Sequence, residues 1–192
     1  MEKTLVLIKP DAVQRGLVGD VITRFEKCGL KLVAMKMIYA DPELAGKHYA
    51  EDEEWMKSVG EKSLKAYEEK GLDLGRTAIE HGRLVRQQLM DFISMSPVVG
   101  LVIEGHNAIK QVRKIVGPTN PEEALPGTIR GDYSFDNYEL ADPSKRPIQN
   151  LIHASSDPEE GKREIGLWFD KDEIHVWKRI DEDLIYRKGE DK

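Results

Sequence analysis

The sequence predicts an α+β protein of the ferredoxin-like βαββαβ type, with helices over one face of a small four-stranded antiparallel sheet, plus a helical insertion. Three observations carry this. Two apolar runs, 4–8 and 97–103, have the length of buried strands. Apolar residues between and after them recur at helical spacing. The order strand, helix, strand, helices, strand, helix, strand, helix is that of a layered α+β sandwich. At 192 residues the chain suits one domain, 1–192, with insertions.

Taken in order, the first strand is 4–8, and Gly16 and Gly19 bracket the turn into Val18, Val21, Ile22 and Phe25, which share a helix face. Gly29 ends that helix. Residues 30–39 set Leu32, Ala34 and Met37 against Lys31 and Lys36, as in a half-buried strand. Asp41-Pro42 starts a helix that reaches His48-Tyr49. Over 52–95, Trp55, Met56, Val59 and Tyr67, then Leu84, Val85, Leu89, Phe92 and Ile93, mark two helices joined near 71–75. Glu104-Gly105 closes the second strong strand before a helix over 107–116. A loop rich in Pro, Gly, Asp and Asn is expected over 117–149, a length typical of functional or inserted segments. Then come a very short strand at 151–153, a helix over 157–169 and a tail of helix or strand over 174–186.

Composition narrows the function. With 33% charged and 40% hydrophobic residues, and no apolar run near the roughly 18 residues of a membrane span, the chain reads as globular and not membrane-inserted. Its start is too soon charged for a secretory signal, so a cytoplasmic location is expected. The net charge of -6 argues against a general nucleic-acid surface, which needs a basic excess. The single cysteine, Cys28, excludes an internal disulfide and a multi-cysteine metal site, and is expected to be buried on a helix.

The most informative stretch is Asn150-Leu151-Ile152-His153-Ala154-Ser155-Ser156-Asp157-Pro158. An apolar run delivers His153 in front of an N-cap and capping-box pattern, Asp157, Pro158 and Glu160, where helix-start amides attract anions. Cations are grouped with it in motif-like clusters: Lys9-Pro10-Asp11 at the end of the first strand, Arg113 before Gly117-Pro118-Thr119-Asn120-Pro121, and Arg130 in Pro126-Gly127-Thr128-Ile129-Arg130-Gly131-Asp132. Arginine forks and a lysine point charge suit phosphate. No glycine-rich phosphate loop of the usual kinds occurs, so side chains must do the holding.

These motifs, with Ile8 to Gly19, resemble the nucleoside diphosphate kinase family over nearly the whole chain. The resemblance implies ping-pong transfer of the γ-phosphoryl group of a nucleoside triphosphate such as ATP to His153, and from there to a nucleoside diphosphate. It places Lys9, Tyr49, Arg113, Thr119, Arg130 and Asn150 around the nucleotide. Glu164 would bond the other ring nitrogen of His153, and Ser155 would support it. Mg²⁺ would ride on the nucleotide phosphates rather than on a protein cage. A homohexamer or a tetramer is implied, with Pro126 in the loop that makes subunit contacts in hexameric relatives.

The chain also departs from the family pattern. Ala154 and Ser156 stand where the family commonly has Gly and Asp, so Ser156 or Asp157 should cap the following helix. The hairpin at about 52–90 is expanded and a second insertion spans about 134–146. Trp55 and Phe92 are candidates for the base-stacking aromatic, with a core position as the default for each. Tyr138 and Lys145 could reach a nucleotide or a neighbouring subunit, a solvated loop being their default. A nucleotide-sensing module without turnover is the competing function, and nucleic-acid binding through the same pocket a third. The nucleophile and its orienter together favour the enzyme.

Overall fold

The computed structural model describes residues 1–69 and 71–187. A four-stranded antiparallel sheet is formed by β1 (Glu2–Ile8), β2 (Lys31–Ile38), β3 (Val98–Gly105) and β4 (Ile152–Ala154), in the order β2-β3-β1-β4. That order is the βαββαβ arrangement expected from the sequence. After β1 come α1 (Pro10–Gln14) and α2 (Val18–Lys27), and after β2 come α3 (Pro42–His48), α4 (Glu53–Glu69) and α5 (Ala78–Ser94). Between β3 and β4 lie α6 (Ala108–Val116), α7 (Ile129–Tyr133) and α8 (Tyr138–Ala141), and after β4 come α9 (Pro158–Trp168) and α10 (Glu182–Ile185).

Helices cover both faces of the sheet, not one. Val6, Ile8, Leu101 and Ile103 pack with Val21 and Phe25 of α2 and Val112 and Val116 of α6. Leu5, Leu7, Val98 and Val102 face the other way, onto Ala45 of α3, Ile93 of α5 and Trp168 of α9. Consecutive residues of β1 therefore enter opposite cores, which is why the run is apolar throughout instead of alternating. Burying each such side chain contributes about 1.5–3 kcal/mol.

Several expectations are corrected. A bulge between Leu32 and Ala34 breaks the alternation of β2: Val33 and Ala34 are both buried, Met37 is exposed, and Lys31 is buried between Glu104 and Glu182 at 2.7 and 2.9 Å. Glu104 and Gly105 continue β3 rather than closing it, since they pair with Lys3 and Glu2 of β1. The expected loop 117–149 contains α7, α8 and a 3-10 turn at Pro121–Glu123, each nucleated by a side-chain cap from Thr128, Asn137 or Asn120. The C-terminal segment holds a 3-10 turn at Lys171–Glu173 and α10 and is otherwise irregular, tied to β2 by His175 N donating to Val33 O at 2.8 Å. Cys28 is exposed at the C-cap of α2, past the face that packs on the sheet.

The α4–α5 hairpin is closed at two glycines. A Cβ on Gly60 would overlap the Ala78 carbonyl, and one on Gly82 the Met56 carbonyl, so the two helices cross backbone to backbone. Asp52 accepts from Trp55 N at 2.6 Å at the start of α4, and Thr77 forms a capping box with Glu80 at the start of α5.

Candidate active site

The sheet sets out the reactive groups. β4 pairs with β1 so that His153 lies opposite Leu7, two residues before Lys9. Leu151, in a left-handed conformation at φ 68°, is gripped on both sides: its N–H donates to Asp11 Oδ2 at 2.9 Å and its carbonyl accepts from Lys9 N at 2.8 Å. This clamp fixes the register of a strand only three residues long.

A cavity of about 400 Å³ opens in front of His153. Lys9, Tyr49, Arg113, Thr119, Arg130 and Asn150, dispersed over the chain, all line it with His153. Lys9 Nζ donates to Asn150 Oδ1 at 2.8 Å, and Asn150 Nδ2 donates to the Thr119 carbonyl at 2.8 Å. Arg130 spends four of its five N–H groups on backbone carbonyls: Asn150 at 3.0 Å, Gly117 at 2.9 Å, Pro118 at 2.8 Å and Ile152 at 2.6 Å. It bolts the loop after α6 to the approach to β4 while its charge faces the cavity. Arg113 is exposed, and among the described residues its fork carries no such commitments.

Glu164 and Ser155 lie behind the histidine and do not line the cavity. Glu164 is 1% exposed, and its carboxylate accepts from His153 Nε2 at 2.9 Å and from Ser155 Oγ at 2.7 Å. With Nε2–H committed to the carboxylate, the lone pair of Nδ1 is the one left for an electrophile.

The electrostatics suit an anion. Burial, helped by Arg130, holds the Lys9 ammonium down at about 8. Burial and Arg113 hold Arg130 at about 10. Burial lowers His153 as well, with Lys9 adding to the effect, so the ring stays neutral and nucleophilic. Cations crowded and desolvated in this way are relieved by phosphate.

The start of α9 does not offer the free amides expected there. Asp157 takes the cap, accepting from Glu160 N at 2.9 Å, and Glu160 accepts from Ser156 N at 2.5 Å. Phosphate contacts therefore fall to the side chains. Of the two stacking candidates, Phe92 is buried beneath Lys9, whose Nζ sits 5.7 Å from the ring centroid, whereas half-exposed Trp55 lines the cavity with Val59, Val85 and Leu89. Tyr138 of α8 lines the same cavity; Lys145 does not.

His48 was not singled out as a site residue from sequence. It is buried against His153 edge to face, ring centroids 4.6 Å apart, and its Nδ1 accepts from Trp168 Nε1 at 3.3 Å and lies 3.5 Å from Glu164. Burial keeps its pKa far below the ordinary value, so it packs as a neutral ring. Its one sequence signal was its place in the last turn of α3, beside Tyr49.

A buried carboxylate–histidine pair facing a cavity lined by cations defines the site of a phosphotransferase. The sequence model of the nucleoside diphosphate kinase family matches residues 2–69 and 78–174. A nucleoside diphosphate kinase of Pyrobaculum aerophilum is 49% identical over 91% of this chain and 98% of its own length. The crystal structure of an NDP kinase from that organism superposes with a TM-score of 0.88 at 48% identity, covering 90% of this chain and 98% of the other. The Borrelia burgdorferi enzyme, solved as a transition-state mimic with vanadate and ADP, superposes with a TM-score of 0.78 at 40% identity, covering 95% of both chains. The chain belongs to the nucleoside diphosphate kinase family.

Proposed function

We propose that His153 Nδ1 is the phosphoryl carrier of this kinase. Nδ1 attacks the γ-phosphorus of a nucleoside triphosphate such as ATP; the N–P bond forms as the bond to the bridging oxygen breaks, and the diphosphate leaves with that electron pair. A second diphosphate then reverses the step. Glu164 orients the ring and balances the positive charge that it gains, with Ser155 holding Glu164 in place. Lys9 and Arg113 stabilise charge on the transferring oxygens, and Arg130 holds the surrounding loops while adding its field. Thr119, Asn150 and Tyr49 complete the nucleotide cradle. The observation that carries this reading is the Glu164–His153 pair facing Lys9, Arg113 and Arg130 across one cavity.

We assign Mg²⁺ as the companion ion. Glu160 is the sole carboxylate on the cavity wall among the described residues and is engaged with Ser156 N. The group with metal-ligand spacing, His48, His153 and Glu164, offers mainly nitrogen, which suits Mg²⁺ poorly. The ion would be held by phosphate oxygens, whose charge it neutralises when bound. Among the described residues no helix is long and apolar enough to cross a membrane. We place the protein in the cytoplasm as a single domain, with the hairpin at 52–90 and the segment 134–146 as additions. A homohexamer is the proposed assembly, a tetramer the alternative, decided by mass in solution.

The test is incubation with γ-labelled ATP and Mg²⁺. An acid-labile label on the wild-type protein, chased by a different diphosphate and absent from His153→Ala, is the expected result. A wild-type protein that binds nucleotide but takes no label is a sensor and not a kinase.

A further inference from the structure

A second cavity, of about 380 Å³, lies between the α4–α5 hairpin and the segment that carries α8. This is the size of a small-molecule site. Arg76 and Lys145 stand on its wall, and neither has an ion-pair partner among the described residues. Arg76 falls in the stretch 70–77 that the family model leaves unmatched. Lys145 is held in a left-handed conformation at φ 50°, its carbonyl accepting from Gln88 Nε2 at 3.0 Å. Deeper in, Ser63 Oγ and His81 Nε2 are 2.8 Å apart, and His81, only 7% exposed, keeps a buried Nδ1 with no partner among the described residues. Asp142, also on the wall, is bonded to the Tyr67 hydroxyl. Leu74, Leu84 and Val85 make up an apolar part of the wall, beside Gln88 and Arg146.

Arg76 and Lys145 are exposed at the rim, where their side chains can reach an anion, the orphaned ring nitrogen of His81 lies beneath them, and the apolar part of the wall with its tyrosine suits a flat ring. We propose that this cavity is a second nucleotide-binding site, taking the phosphates on Arg76 and Lys145 and the base against Tyr67 and Leu84. It is joined to the catalytic cavity in two ways. Val85 lines both. Arg146, on the second wall, is paired with Asp136, which accepts from Gln149 N at 2.7 Å, one residue from Asn150. A ligand here would brace the segment that presents Tyr138 to the catalytic site.

Equilibrium dialysis of the full chain with labelled ADP tests this. Wild-type protein should bind two equivalents per chain, and the double variant Arg76→Glu, Lys145→Glu one, while its labelling at His153 stays within about twofold of wild type. Leu84→Trp, which fills the cavity without changing charge, should also leave one. The proposal is overturned by a single equivalent in wild type, or by a second equivalent that survives both variants. If pyrophosphate fills the site and ADP does not, the nucleotide assignment is wrong. Failure of His153 labelling alone would count against the kinase reading and not against this site.

Discussion

The floor and the outer wall of the catalytic cavity are built on different principles. The floor, with Lys9, Asn150, Arg130 and His153, the last backed by Glu164, stands on or beside the sheet and is held by directed bonds of 2.6 to 3.0 Å, most of them buried. The wall is apolar and aromatic: Trp55, Val59, Val85 and Leu89 rest on a hairpin whose helices meet at Gly60 and Gly82, and Tyr138 comes from α8. Chemistry demands fixed positions and a base demands only a surface, so the two regions should fail in different ways.

The sharpest break comes at the floor. Lys9→Ala removes a buried cation and should cut kcat about 100-fold to 1000-fold, the cost of losing one preorganised charge stabiliser, with single-turnover labelling as the measurement. A change in KM alone would mean that Lys9 belongs with the wall. Next, Gly82→Ala in the wall forces α4 from α5 and should cost about 3 kcal/mol of stability, seen as a lower denaturation midpoint. Labelling of His153 at saturating ATP should survive it.

The floor also sets the pH profile. Lys9, held at about 8 in the free protein, is a cation below that pH, so kcat/KM should fall as pH rises through it. The break in kcat should lie higher, because bound phosphate favours the ammonium. On the acid side His153 is held below its ordinary value, so no loss of its reactive form is expected at about pH 6.5, where a free imidazole is half protonated. The smallest effect belongs to the wall: Trp55→Ala should raise KM about fivefold, with kcat little changed, as loss of one stacking surface costs about 1 kcal/mol. Equal damage to kcat would show that Trp55 positions the phosphates.

The same division governs how much was legible in the sequence. The β1 and β3 runs, the helix starts at Asp41 and Asp157, and the motifs of the floor are local patterns, and all six nucleotide-contact candidates line one cavity. What escaped depends on distance. That β1 feeds two cores follows from which helices lie on each face. α7 and α8, with five and four residues, are too short to show a period and exist through their caps. The neutral His48 beside the nucleophile, and the four carbonyls taken by Arg130, come from segments far apart in the chain. Cys28, read as buried from residue type, is exposed because α2 ends there.

The grip on Leu151 carries one more consequence. Side chains alternate along a strand, so a slip of a single residue in β4 would turn His153 away from the cavity. Such a molecule would keep its helices and most of its sheet but would turn Ile152 out of the core, so it would be less stable and would transfer nothing. The left-handed residue two places before the nucleophile thus locks the register on which transfer depends. Weakening it, as in Asp11→Ala, should yield a mixture in which the fraction of chains that take up label drops while each competent chain turns over at the normal rate.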